Sequence, residues 1–385
     1  MGRLLCTFKR QKESIMTEEP MTYRGSGVNY DAMDPFKRAC QLAGVDTSAN
    51  IERIANGEFV EVESSRGESV YLIEAAKSYF AHVEEGLGTK NLVADVMYSL
   101  TRKSYYDQIA QDCVAMIVND MITLGALPLS VAMHLAVGDS NWFSDENRWM
   151  DLIFGWKNAC NLARCIWGCG ETPTLKDVIN PSAVVLTGSA MGIVKPKDRL
   201  IRTNISSGDA IVLLASTGVH ANGLTLIREI AKRTGYGAKL SDGRTFGESI
   251  LDPTAIYVPV IEDCYGAGVD IHYAVNITGH GWRKLMRAVE PFVYWIDQLP
   301  QPQPVFDFIQ ERGPISDEEM YGNYNMGAGF ALYVSPSDAD RVIRVAKECG
   351  SFAWVGGHIA KVGNQKRVEI LPKGITFEGD SLGVR

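Results

Sequence analysis

Five short segments gather the residue types that handle phosphate and divalent metal. Residues 84–90, Glu-Glu-Gly-Leu-Gly-Thr-Lys, put a carboxylate pair beside Gly86 and Gly88 and close on Thr89 and Lys90. Glycines let the backbone approach a phosphate, and a lysine adds a point charge. The spacing is neither a P-loop nor a three-glycine dinucleotide fingerprint, so a plain glycine turn explains it equally well. Asp112, Asn119 and Asp120 offer hard oxygen ligands of the kind Mg²⁺ accepts alongside substrate phosphates. On a wheel of about 100° per residue they fall near 0°, −20° and 80°, away from an apolar stripe near 200°. That placement fits solvated surface carboxylates as well as ligands. Gly168-Cys-Gly-Glu171-Thr-Pro173 sets a carboxylate after a glycine pair, in what reads as a helix-to-loop region. Ser216-Thr-Gly-Val-His220-Ala-Asn222-Gly223 and Ile277-Thr278-Gly279-His280-Gly-Trp282 each join a strand to a helix start. Such junctions bind anions through free N–H groups and the helix dipole, and His220 could serve as an acid, a base or a phosphate contact. Asn222 could equally just cap the helix.

The elements that must hold these segments follow from hydrophobic periodicity. Val114, Ile117, Val118, Met121 and Ile122 mark an amphipathic helix over 112–124, stopped by Gly125 and Pro128. Helices are also expected at 35–43, 147–166, from Leu224 to Ile230, and at 254–264. Residues 128–137, 183–194, 209–215, 269–277 and 329–334 read as strands, and 71–83 as strand or helix. Ser337 or Asp338 is expected to cap a helix, and 359–370 to close the chain as a hairpin. Strands and helices alternate without strict βαβ spacing, which predicts an α+β fold. A charged, proline-containing stretch, Lys195 to Arg199, marks the seam between two domains, 21–195 and 196–385, after a mobile tail over 1–20.

Composition bounds the rest. The 385 residues carry 46 acidic and 38 basic side chains, a net charge of −8, with 46% hydrophobic residues. The acidic balance argues against a nucleic-acid partner. No stretch approaches the roughly 20 apolar residues of a membrane span, and the basic start lacks a secretory core. The eight cysteines read as reduced thiols of a cytoplasmic protein. Cys160, Cys165 and Cys169 come near a ferredoxin spacing without matching it, and Cys160 and Cys165 fit one helical stretch, so buried structural thiols are expected.

The order of the segments resembles aminoimidazole ribonucleotide synthetase, the phosphoribosylformylglycinamidine cyclo-ligase family. Tyr23-Arg-Gly-Ser-Gly-Val28 looks like its Y-x-x-x-G-V, and Glu85-Gly-Leu-Gly-Thr-Lys90 is similar to its D-G-V-G-T-K. Asp112-Cys-Val-Ala-Met-Ile-Val-Asn-Asp120 matches D-x-V-A-M-x-V-N-D, the longest and most specific segment. Gly125-Ala-Leu-Pro128, Gly170-Glu-Thr172, His220-Ala-Asn-Gly223, Pro253-Thr-Ala-Ile-Tyr257 and the Met320–Gly329 segment follow in family order. The resemblance runs from about Tyr23 to Leu371.

It implies an N-terminal dimerisation domain that forms a β-barrel shared in a homodimer, and a layered α/β C-terminal domain. It implies ATP- and Mg²⁺-dependent closure of the imidazole ring of formylglycinamidine ribonucleotide in purine biosynthesis. By position, Gly86, Gly88, Thr89, Lys90, Asp112, Asn119 and Asp120 would serve ATP, and Glu85, Asp112 and Asp120 the metal. Glu171, His220 and Lys90 would be catalytic. His220, Asn222, Gly223, Thr278 and Gly279 would hold the phosphorylated small-molecule substrate. The chain departs from the family at Glu85 (aspartate there), after Thr172 (a carboxylate is missing) and at His280 (glycine there). Those departures motivate the alternatives: a same-fold ATP enzyme of the selenophosphate, thiamine-phosphate or hydrogenase-maturation kind, or a non-catalytic nucleotide-binding paralogue.

Overall fold

The computed structural model describes residues 20–51, 56–201 and 204–382. The tail expected over 1–20 lies outside them except for its last residue. The first half runs α1 (Tyr30–Val45), β1 (Val60–Glu61), β2 (Tyr71–Glu74), β3 (Tyr79–Gly86), α2 (Lys90–Thr101), α3 (Tyr106–Met121), β4 (Leu127–Val137), α4 (Glu146–Leu162), β5 (Ile166–Glu171) and β6 (Val184–Val194). Its described sheet has the order β1-β2-β3-β6-β4-β5, antiparallel except for the parallel β4–β5 pair. The second half runs β7 (Ala210–Ala215), α5 (Leu224–Thr234), α6 (Phe246–Ile250), α7 (Val258–Gly266), β8 (Ile271–Asn276), β9 (Val293–Ile296), α8 (Pro304–Arg312), α9 (Asp317–Asn323), β10 (Ala328–Val334), α10 (Pro336–Glu348), β11 (Ala353–Ala360), β12 (Arg367–Ile370) and β13 (Ile375–Glu378). Its sheet is β13-β12-β9-β11-β7-β10-β8.

The chain is thus α+β, with one mixed sheet in each half. In the second half β7 and β10 are central and covered on both faces, so they read as unbroken apolar runs. In the first half β6 alternates strictly, its inward positions being Val184, Leu186, Gly188, Ala190, Gly192 and Val194. The two glycines let α3 lie close on the sheet. A Cβ at Gly188 would collide with the Ala132 carbonyl and lie 2.9 Å from Ile117 Cδ1. Within one chain this sheet is open, with β1 and β5 as its edges, so no barrel is closed by a single copy.

Several elements differ from expectation. The helix expected over 147–166 ends at Leu162, because Arg164 turns left-handed (φ +54°) and the Arg164 and Cys165 amides bond back to Asn161 and Cys160 at 3.1 and 3.0 Å. Cys165 therefore lies beyond the helix. Residues 166–171, read as helix-to-loop, instead form edge strand β5. The helix expected from Thr254 starts at Val258, since 252–257 is a loop with work elsewhere. Ser335, not Ser337 or Asp338, stands at the cap of α10. The terminal strands are not a 359–370 hairpin. β9 lies between β11 and β12, and β12 makes its hairpin with β13. None of the cysteines in the described residues is in a disulfide.

The close seat of α3 gives a prediction. Gly188→Val should lower unfolding free energy by about 1–3 kcal/mol, because the nearest obstacle is backbone that must shift. Denaturant titration reads this, and an unchanged midpoint would show that α3 does not rest on Gly188.

Candidate functional site

The polar side of α3 does not face solvent. Asp112, Asn119 and Asp120 are only 0%, 1% and 6% exposed. The helix has apolar neighbours from its own sheet on one side, and the second half covers the other. A wheel built from one helix cannot show a cover that comes from far along the chain. The cover is the loop 252–257. Thr254 donates to Asp112 Oδ1 from its amide at 2.8 Å and from its hydroxyl at 2.6 Å. Asn119 donates to the Ala255 carbonyl at 2.8 Å and accepts from the Tyr257 amide at 2.9 Å. Gln111 donates to the Thr254 carbonyl at 2.9 Å.

Lys90 belongs to this junction. It is fully buried, with Nζ 2.8 Å from Asp112 Oδ2, and it donates to the Asp252 carbonyl at 2.8 Å. Burial pushes the Asp112 carboxyl up, against the opposite pull of Lys90 and Thr254. The geometry corrects three expectations. Lys90, Asp112 and Asn119 are all engaged by the loop 252–257. Asp112 and Asp120 are separated by about 12 Å of helix, too far for one ion. Among the described residues no three His, Cys, Asp or Glu side chains cluster as a metal site, so Glu85, Asp112 and Asp120 are not one ligand set.

Asp120 is different. It faces Glu85, which continues the inward phase of Tyr79, Ala81 and Val83 at the end of β3. Asn276, the last residue of β8, donates to Asp120 Oδ1 at 2.7 Å. Burial and then repulsion from Asp120 push the Glu85 carboxyl up to about 7, with Lys284 opposing. Lys284 is pulled down to about 8, first by burial, against the opposing attraction of Asp120 and Glu85. Its Nζ hydrogen-bonds the Thr278 hydroxyl. Two crowded carboxylates and one ammonium thus meet where the ends of β3, α3 and β8 converge. Two carboxylates with spare lone pairs suit Mg²⁺, which completes its shell with water and phosphate oxygens.

The remaining expected residues fall into two groups. Near this centre are Thr278 and Gly279, in the turn after β8, and Gly86 at the end of β3. Gly88 (φ +74°) and Thr89 form an open turn ahead of α2, where a Cβ on Gly88 would meet nothing within 4 Å. Asn222 and Gly223 lead into α5, and Asn222 Nδ2 lies 3.9 Å from Met116 Sδ on α3, one helical turn before Asp120. Gly223 itself caps α5 in a left-handed turn, without a side-chain cap. The other group is not at the centre. His220 is buried, its Nε2 accepts from the Thr217 amide at 3.2 Å, and burial with Lys90 nearby pulls it down to about 3. Glu171 is exposed on β5 and accepts from the Thr172 amide at 2.9 Å. Register sets Glu171, His134, Thr187 and Gly86 in one row, so Glu171 stands three strands, about 14 Å, from Gly86.

Two residues were not anticipated from the sequence: Lys284 and Asn276. Lys284 sits among Arg283, Arg287 and apolar residues, a pattern that looks like a surface helix. A cavity of about 360 Å³ is lined by Arg24, Asp31, Asp34, His280, Arg283, Glu319 and Asp380 among others. No described helix is long and apolar enough to cross a membrane.

Comparison with known proteins bears on what such a site does. Two family models match this chain: AIR synthase related protein, N-terminal domain, over residues 76–194, and the C-terminal domain over 206–369. The phosphoribosylformylglycinamidine cyclo-ligase of Methanocaldococcus jannaschii is 36% identical over 74% of this chain and 80% of its own length. The protein of that name from Methanococcus maripaludis strain S2 is 32% identical over 88% of this chain and 92% of its own. Among solved structures, a chain of a HypE–HypF complex aligns with a TM-score of 0.58 at 14% identity, covering 86% of this chain and 98% of that one. Thermotoga maritima PurL complexed with ATP aligns at 0.53 and 15% identity, covering 82% of this chain and 46% of that one. At such identities these two show a shared fold.

Two predictions follow from the junction. Lys90→Ala strands a buried carboxylate and should lower unfolding free energy by about 3–5 kcal/mol in a denaturant titration. A loss below about 1 kcal/mol would mean the pair holds nothing. His220 titrates at its ordinary 6.5 when unfolded but only near 3 when folded. The unfolded chain therefore takes up the proton first, and stability falls as pH drops through that window. His220→Asn, which tolerates the left-handed backbone at this position (φ +58°), should flatten that acid slope.

Proposed function

Because the chain belongs to the AIR synthase related protein family, we propose that it is the ATP- and Mg²⁺-dependent ligase that converts formylglycinamidine ribonucleotide to aminoimidazole ribonucleotide. The observation that supports this most directly is the 36% identity to a protein named for that cyclo-ligase, across 80% of that protein. In this reaction the formyl amide oxygen attacks the γ-phosphorus of ATP and ADP leaves. The substrate's amine nitrogen then attacks the activated carbon, a proton is lost, and the oxygen departs with phosphate.

The residues divide this work across the two halves. Glu85 and Asp120, from the first half, would hold Mg²⁺. When bound, that ion would neutralise charge on the transferring phosphoryl group. The open turn at Gly88 and Thr89 would offer backbone N–H groups to ATP at the start of α2. Lys284, steadied by Thr278 from the second half, would place its ammonium against the phosphoryl oxygens. The N–H groups that begin α5 after Asn222 and Gly223 would take the substrate's own phosphate. Residues 21–195 would thus carry ATP and the dimer contact, and 196–385 most of the substrate contacts.

A homodimer fits the first sheet. Its outward face exposes Phe80, Val185 and Met191, and Ile166 is exposed on edge strand β5. A second copy of the same face would cover these side chains and close the open sheet into a barrel. It would also bring Glu171 under a partner.

The decisive assay supplies purified protein with formylglycinamidine ribonucleotide, ATP and Mg²⁺, and scores aminoimidazole ribonucleotide. Product formation is expected. ATP binding without product would move the reading to another small substrate on this fold. Asp120→Asn should cut turnover by about 10²-fold or more while the thermal midpoint holds, and an active variant would remove Asp120 from the metal. Met191→Asp should convert a dimer to monomers in analytical ultracentrifugation, and an unaltered dimer would place the interface elsewhere.

A further inference from the structure

The turn that ends α4 brings two cysteines together. Arg164 takes the left-handed conformation (φ +54°), its amide bonds the Asn161 carbonyl at 3.1 Å, and the Cys165 amide bonds the Cys160 carbonyl at 3.0 Å. Paired bonds of this kind make a Schellman ending, in which the residue after the left-handed one packs its side chain on the residue five places earlier. An apolar pair is usual at those two places. Here both hold cysteine, and the two thiols hydrogen-bond each other. The direct amide–carbonyl bond also keeps the two Cα atoms close enough for the roughly 4.4–6.8 Å that a disulfide spans.

The two thiols are not equivalent. Cys160 is only 3% exposed, while Cys165 is half-buried and packs against the core. The bond from Cys160 pulls the Cys165 thiol down, against burial, and the same bond pushes Cys160 up. Cys165 is therefore the readier thiolate, the form that reacts with oxidants. Other cysteines go the opposite way. Burial pushes up Cys113, Cys264 and Cys349, the last two to about 12 and about 11.

We propose that Cys160 and Cys165 are an oxidation site, closing to an intrachain disulfide when the folded protein meets a hydroperoxide. The Cys165 thiolate attacks one peroxide oxygen, the O–O bond breaks, and hydroxide leaves and takes a proton to become water. Cys165 is then a sulfenic acid. The Cys160 sulfur attacks the Cys165 sulfur, the S–O bond breaks, and the oxygen leaves with the Cys160 proton as a second water. The two thiols lose two electrons, and the peroxide accepts both. The ring so closed contains Arg164, whose Nη1 lies 2.6 Å from both Glu262 Oε2 and Asp263 Oδ1 on α7. The modification thus falls on a turn that carries an ion pair between the halves.

The test treats the reduced, folded protein with hydrogen peroxide, alkylates the remaining thiols and maps tryptic peptides by mass spectrometry. Trypsin cuts after Lys157, Arg164 and Lys176, so Cys160 and Cys165 fall on separate peptides. The expected result is 158–164 joined to 165–176, or the uncut 158–176 peptide lighter by two hydrogens, with two of the eight thiols lost and both restored by dithiothreitol. Cys113 and Cys264 should stay reduced. Because 165–176 also holds Cys169, the Cys169→Ser variant should form the same bond, and Cys165→Ser should abolish it. In Cys160→Ser, Cys165 should stop at a sulfenic acid that a dimedone probe captures. A folded wild type that forms no linkage overturns the proposal. So does linkage of Cys160 to Cys169, or linkage that appears only above the thermal midpoint.

Discussion

The molecule depends on a buried charge pair in its first half, on the face that the second half covers. Lys90 and Asp112 are wholly removed from water, which is tolerable only when every neighbouring donor and acceptor is satisfied. Thr254 bonds Asp112 and the Asp252 carbonyl bonds Lys90, so the loop 252–257 has to lie against α3. Once it does, Asn119 and Gln111 find partners on the same loop. The halves are therefore fastened through a hydrogen-bonded polar seam. An apolar interface could slide between registers more easily, because its contacts are not directional.

The fastening sets the site. Glu85 and Asp120 come from the first half, while Asn276, Thr278 and Lys284 come from the second. Lys284 of the second half opposes the carboxylate pair, with a weaker contribution to Glu85 from Lys37 of the first half. The pair's crowding, seen in the raised Glu85 carboxyl, survives because Asn276 and Lys284 hold its surroundings in place. Polar residues within the same nine-residue segment of α3 thus act differently. Asp112 and Asn119 bond the loop that covers the helix, while Asp120 accepts from Asn276 and faces Glu85.

Much of this was legible from the residues. The alternating pattern of β6, the apolar runs of β7 and β10, and the stripe of α3 encode their elements locally. The motif order carried the family, and the neighbourhood of Glu85, Asp120 and Thr278 lay inside it. What stayed hidden was set by distant partners. A wheel puts Asp112 on the polar side of its helix but cannot show that Thr254 covers it. His220 looked like an acid or base because its type and its loop are those of a catalytic residue. Its burial is a tertiary fact. Ile166–Glu171 read as the tail of a helix because its glycines and small residues hide strand propensity, and pairing with β4 decided the matter. Lys284 was missed because a lysine between basic and apolar neighbours resembles any surface helix.

The seam also has a consequence in time. Asp112 and Thr254 are 142 residues apart in the chain. At ribosomal rates of about 5–20 residues per second, α3 leaves the ribosome roughly 7–28 s before its partner loop. During that interval the helix face around Asp112 has Lys90 as its partner but not the loop that covers both. A chain stalled or cut between the two would keep its first sheet and still lack the cover for α3. Full cover of that helix therefore waits for the loop 252–257, and Asp120 for Asn276 further on.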